Sequence, residues 1–387
     1  MVIIVSLTLY VLYSKAKRYA LEYVYAYSCN ITVVNYENKD IVNPAFTVIE
    51  IDCPKNTSTQ ICKLVKYEIF GSPYVNETFY DNVKSICFNF HKIPAMGRIS
   101  VEVLFEVHVR IPKTVDIKVN PKYETCNNSL WCITSNVRSI AKLLKSDNDY
   151  DTLLNFIRWI DSGISYGGKL IPRKPPEVLK DKQGDCDEQS LLLGAFCRSV
   201  GIPAVLGVGM VYYEKLNASR SICNGKIVVK YYNMVWHAWL FAYVRGRWMP
   251  VDMTYYDESL PYPKSHIEGA AYWMPTLIFV GTYSKYDYIE GLKGILKKVN
   301  ETNIRILISE ELQLSAKRII TVRESLWNVC RRYATKCVRI ILANYKIVLV
   351  LAVVATIILI YLKGLRRLEG YERSKPYTKS HKGEKEC

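Results

Sequence analysis

Residues 184–203 read GDCDEQSLLLGAFCRSVGIP, and the fold follows from this stretch. Asp185 is a good N-cap, and Glu188 three residues later completes a capping-box pattern. Leu192, Ala195, Phe196 and Val200 recur at helical spacing. Gly201 suits the residue just past a helix end, and Pro203 prevents continuation. The pattern predicts a helix starting at Cys186, within a residue. The first turn of a helix has free N–H groups and a partial positive charge. Both stabilise a thiolate, and the same N–H groups can donate to an oxyanion formed beside the sulfur. Asp185, Asp187 and Glu188 oppose thiolate formation, so a nearby cationic histidine would have to outweigh them. The other reading of Cys186 is a structural thiol or half of a disulfide. Cys197, on the same helix, belongs to the core.

Downstream, residues 235–257 read VWHAWLFAYVRGRWMPVDMTYYD. Val235, His237, Trp239, Phe241 and Tyr243 share one face of a predicted strand. Arg245-Gly246 is a turn signal, and Trp248–Met253 is the return strand. A two-residue loop would set Val244 against Arg247 and Trp239 against Asp252. His237 and Asp252 would then be diagonal neighbours on one face. A three-residue loop would separate them. A base beside the thiol, oriented by a carboxylate, is what nucleophilic catalysis by cysteine needs.

Together these pieces resemble the transglutaminase-like superfamily, a branch of the papain-like cysteine enzymes. The resemblance covers about residues 151–257. It starts at FIRWIDSGISYGG and continues through PPEVLKDKQGDCDEQSLLLGAFCRSVGIPA, VWHAWLFAYV and GRWMPVDMT. It implies Cys186 as nucleophile, His237 as base and Asp252 as third member. Tyr166 matches an aromatic position that contributes to the oxyanion site or merely packs. Trp236 and Trp239 are expected to wall the cleft. The implied fold is α+β: a transglutaminase-like (papain-like) domain in which the nucleophile's helix packs on an antiparallel sheet. Glu214–Lys230, containing Cys223, departs from the pattern and reads as an insertion.

The resemblance implies attack on a peptide or isopeptide amide through a thioester. Hydrolysis is slightly favoured over cross-linking, because simpler members resemble proteases. No cofactor or metal is expected, and the partners would be a protein or peptide substrate and a membrane. The alternative is a catalytically inactive surface protein of the same fold, serving binding or assembly.

Outward from this region the texture changes. RISVEVLFEVHVRI, the fourteen residues 98–111, alternates with apolar positions from Ile99 to Ile111, as a half-buried strand does. Shorter runs of the same kind nearby predict an all-β sandwich-like domain over 29–120, before the transglutaminase-like domain at 121–300. Asn136–Leu144 and Tyr150–Ile160 read as helices, and Gly167 to Pro176 as a loop. His91 and His108 read as strand-surface residues.

The 387 residues carry a net charge of +16. Much of that excess lies in a basic tail at 364–387 and a basic segment before the apolar run, and no nucleic-acid motif accompanies it. IVLVLAVVATIILIYL, between Lys346 and Lys363, predicts a transmembrane helix at 338–363. The tail after it would be cytoplasmic and the main domains extracytoplasmic, with 301–337 as juxtamembrane segment. Residues 1–28 read as a signal anchor or transmembrane segment, with a buried or amphipathic first helix as the alternative. Six N-x-S/T sequons, at Asn30, Asn56, Asn76, Asn127, Asn217 and Asn300, and twelve cysteines suit an oxidising exterior. Some of Cys53, Cys62, Cys87, Cys126, Cys132 and Cys223 are expected to be bridged.

Overall fold

Alternation builds the first strand, β1 (Lys17–Asn35), which buries Tyr25, Tyr27, Cys29 and Val33 on one face. The computed structural model describes residues 17–169 and 171–323, of which Ala20–Ile320 form one compact unit. Then come β2 (Val48–Cys53), β3 (Gln60–Phe70), β4 (Pro73–Tyr80), β5 (Val83–Phe90) and β6 (Arg98–Ile111). The fourteen-residue alternation is β6, with Ile99, Val101, Val103, Phe105, Val107 and Val109 all buried.

Helices α1 (Ser135–Leu144) and α2 (Asp149–Gly163) stand where the periodicity puts them, and a two-residue β7 (Ser165–Tyr166) follows. The expected loop ends early, because Pro175 and Pro176 open a helix, α3 (Pro175–Asp181). Proline suits that position, having no N–H to leave unpaired. After β8 (Gln183–Gly184) comes α4 (Cys186–Ser199). It packs against α1, α2, α3 and the sheet. Leu191, Leu192, Leu193, Ala195, Phe196 and Cys197 are therefore all fully buried, as in a helix that is apolar nearly all round.

The remaining elements are β9 (Ala204–Ile222), β10 (Ile227–Val244), β11 (Arg247–Val251), β12 (Leu277–Tyr283), α5 (Tyr288–Asn300) and β13 (Ile304–Arg323). An eight-stranded sheet runs β12-β9-β10-β13-β1-β6-β3, with β11 paired to β10 beside this path. A three-stranded sheet, β2-β5-β4, faces it, and Phe88 on β5 meets Tyr67 on β3 edge-on at 5.7 Å.

Three expectations are corrected here. Two sheets do face each other within 29–120, but they are not a separate domain: β1, β3 and β6 continue the sheet that holds β9, β10 and β12. The expected anchor at 1–28 and juxtamembrane segment at 301–337 give residues 17–28 to β1 and 304–323 to β13. The parallel pairing of β13 with β10, from Ile227 against Ile306 to Tyr232 against Glu311, carries no local sequence signal. Residues 1–16 of the anchor, and the segments 338–363 and 364–387, lie outside the described residues. Among the described residues no helix is long and apolar enough to cross a membrane. The expected bridges are also absent: Cys53, Cys62, Cys87, Cys126, Cys132 and Cys223 are all free.

Candidate active site

The turn at Arg245-Gly246 fixes the site. Both residues have positive φ, 53° and 73°, the geometry of a two-residue hairpin whose twist matches its strands. Val244 opposes Arg247, and the register runs to Leu240 against Val251. Asp252 therefore follows the last paired residue and falls diagonally beside His237.

His237 Nε2 donates to Asp252 Oδ2 at 2.7 Å. Asp252 is fully buried. Its Oδ1 also accepts from the backbone N–H of Thr254 (3.1 Å) and of Tyr255 (2.9 Å), and from the Thr254 hydroxyl (3.3 Å). Its Oδ2 accepts from the Ala271 N–H at 3.3 Å. A buried carboxylate with that many donors is held in one orientation.

The Cys186 sulfur lies close enough to the imidazole for each group to shift the other's titration. With Nε2 committed to Asp252, Nδ1 is the ring nitrogen left for the sulfur. The helix reaches the strand because β10 is open there. On the edge away from β9, β13 pairs residues 227–232 and β11 pairs 240–244. Residues 233–239 lie in the gap, and α4 fills it: the Ser190 hydroxyl donates to the Ala238 carbonyl at 3.4 Å.

Electrostatics couple the pair. Burial works against the imidazolium, but the charge and hydrogen bond of Asp252, joined by Cys186, outweigh it and hold the His237 pKa up at about 10. Burial pushes the Cys186 thiol up, while His237 pulls it down by hydrogen bond and charge, and Asp187 and Asp185 oppose His237.

The three acids around Cys186 differ in circumstance. Glu188 is fully buried and bound by Arg173. Its carboxylate also accepts from the Asp185 N–H at 3.1 Å, the capping-box contact read from the sequence. Asp187 accepts from the Tyr288 hydroxyl at 2.8 Å. Its pKa is pushed well up by burial and then by the neighbouring Asp185 carboxyl.

The aromatic residues divide. Tyr166 pairs with Gly184, two residues before the nucleophile, and is exposed. Partial burial of the hydroxyl and then Cys186 raise its pKa, so the sulfur is within electrostatic reach of it. Trp239 shares a face with His237, its ring stacked 6.1 Å away, but it is fully buried and supports the imidazole from behind. Trp236 points the other way, and its indole N–H donates to Glu310 on β13 at 2.8 Å. The expectation that both tryptophans wall the cleft is corrected: alternation along β10 puts residue 236 on the opposite face from residue 237. Tyr255 and Tyr213, not singled out from sequence, do border the site. Tyr255 meets His237 edge-on at 6.5 Å, and Tyr213 lies close enough to feel Tyr255 and Asp252.

Residues 138–253 match the model of the transglutaminase-like superfamily. Among solved structures the chain is similar to a candidate cysteine protease from Cytophaga hutchinsonii, at 14% identity and TM-score 0.45, covering 80% of this chain and 93% of that one. It is also similar to a candidate protease from Parabacteroides distasonis, at 15% identity and TM-score 0.23, covering 58% and 46%. The periplasmic domain of TgpA from Pseudomonas aeruginosa is a third, at 13% identity and TM-score 0.28, covering 58% and 88%. No curated protein matches the chain.

Proposed function

We propose, taking residues 138–253 as a member of the transglutaminase-like superfamily, that this chain is a cysteine acyl-transfer enzyme acting on peptide or isopeptide amides. Cys186 is the nucleophile, His237 the general base and Asp252 the carboxylate that orients it. The observation that carries this reading is the 2.7 Å contact between His237 Nε2 and Asp252 Oδ2, on a ring that acts electrostatically on a cysteine at a helix N-terminus.

In the reaction, the neutral form of His237 takes the thiol proton on Nδ1 and the sulfur attacks the amide carbonyl carbon. First-turn N–H groups of α4 stabilise the oxyanion, with Tyr166 beside them. The carbon–nitrogen bond then breaks as the imidazolium gives its proton to the leaving amine. A thioester remains. Water frees the acid, or a second amine takes the acyl group. We favour hydrolysis, and incorporation of an added primary amine into the product would argue for transfer instead. A thiol-reactive amide probe tests the site. Wild type should label, Cys186→Ala should not, and His237→Ala should label far more slowly. Equal labelling of all three would remove the catalytic reading.

We also read the enzyme as membrane-held, with its main domains outside the cell and residues 364–387 inside. The support is the apolar run at 338–363 and the basic tail after it. Protease added to intact cells should degrade the main unit. Degradation only after lysis would rule this topology out.

A further inference from the structure

The Glu214–Lys230 stretch, read from sequence as an insertion, extends the β9–β10 hairpin and carries a bulge at its base. β9 and β10 pair continuously from Ala204 against Ala242 to Tyr212 against Met234, and again from Asn217 against Tyr232 to Ile222 against Ile227. Between these runs, Tyr213, Glu214, Lys215 and Leu216 stand opposite the single residue Asn233. Lys215 and Asn233 both take positive φ, 67° and 56°. The Lys215 N–H donates to Asn233 Oδ1 at 2.8 Å, so the excursion is pinned at its tip. Bulges of this kind re-aim side chains beside active sites.

The four bulged residues and Val235 line a cleft of about 440 Å³. One of its walls, Val235, belongs to β10, the strand that carries His237. Val235 lies on the His237 face two residues before it, about 6.6 Å along the strand. Tyr213 lies near enough to Tyr255, Asp252 and Tyr166 for their charges to act on one another. Glu214 and Lys215 contribute one charge of each sign, so the rim has no net call for a charged group. Tyr213, Leu216 and Val235 supply the apolar and aromatic wall that anchors a side chain.

We propose that the β9 bulge and Val235 form the subsite that selects the substrate, accepting a large uncharged apolar or aromatic side chain within one or two residues of the reacting carbonyl. This rests on Cys186 being the nucleophile.

The test uses the full chain and paired fluorogenic peptides that differ only in having phenylalanine or glycine at the positions flanking the cleaved amide. Wild type should prefer phenylalanine at one of these positions by about tenfold or more in kcat/KM. Leu216→Glu, and the milder Leu216→Ser, should shrink that ratio, read within each folded variant. Equal turnover of both peptides by wild type, or an unchanged ratio in either folded variant, would overturn the subsite alone. Absence of Cys186-dependent turnover of every peptide would instead overturn the catalytic reading, and the subsite with it.

Discussion

Glu188 and Arg173 form a buried, two-pronged ion pair at the first turn of the helix that carries the proposed nucleophile. Nε of Arg173 donates to Oε1 at 2.8 Å and Nη2 to Oε2 at 2.7 Å, and the Arg173 N–H adds a third contact at 2.7 Å. Arg173 also donates to the Gly167 carbonyl at 2.8 Å and to Asp181 at 3.0 Å. The pair ties the loop before α3 to the first turn of α4, and neutralises one of the three acids that flank the proposed nucleophile in sequence. Glu188→Ala should therefore cost about 3 kcal/mol of stability, because it removes the two-pronged partner of a buried guanidinium and leaves it only Asp181 and the Gly167 carbonyl. Urea unfolding measures this, and a loss under about 1 kcal/mol would show that the pair is not the tie described.

Asp187 answers the rest of the electrostatic problem. Burial and the Asp185 carboxyl let it keep a proton to a pH where free aspartate has lost it, and Tyr288 holds it in place. Asp187→Asn mimics that protonated form. Alkylation of Cys186 by iodoacetamide should then match wild type at mildly acidic pH. At higher pH the wild type should fall behind the variant, since its newly formed carboxylate disfavours the thiolate. A variant slower than wild type at every pH would contradict this account.

The His237 pKa of about 10 makes a signed prediction. The charged ring is the favoured form below that value. Its stabilising contribution is full below the ordinary imidazole range and is lost as pH rises through about 10. Asp252→Asn removes the largest effect holding the pKa up and leaves burial, which pushes it down. The alkaline limit of the Cys186 alkylation profile should move to lower pH by about 1–3 units. An unmoved limit would mean that Asp252 does not set the charge of the ring.

The site was legible in the sequence because its parts are local. A capping pattern placed Cys186 at a helix start, and one turn dipeptide fixed the parity that joins His237 to Asp252. Residues 17–28 and 304–323 were misread for a physical reason: each lies toward an apolar terminal run, and a strand so placed looks like that run's flank. Their pairing partners are distant in the chain, as Leu21 with Ile111 and Ile306 with Ile227 illustrate. The bulge at 213–216 was hidden similarly, since nothing in YEKL states that four residues will face one. Trp236 was a different error, because strand alternation already assigned it to the face away from His237.

Two glycines on β9 hold the ring behind the imidazole in position. Gly209 pairs with His237 and Gly207 with Trp239, and the Trp239 indole lies flat across both. A methyl group on Gly207 would come within 2.7 Å of Trp239 Cε2 and 2.8 Å of a Phe241 ring carbon. Neither ring can yield freely: Trp239, Phe241, Tyr272 and Phe279 form one packed aromatic cluster, with centroids 5.2–6.0 Å apart. Gly207→Ala should thus destabilise the chain by about 1–3 kcal/mol through overpacking. The part of the strain relieved by moving Trp239 should reach His237, whose ring stacks on it. Peptide turnover at a temperature where the variant remains folded should fall further than its folded fraction does. Turnover that only follows the folded fraction would mean that Trp239 supports the core without positioning the imidazole.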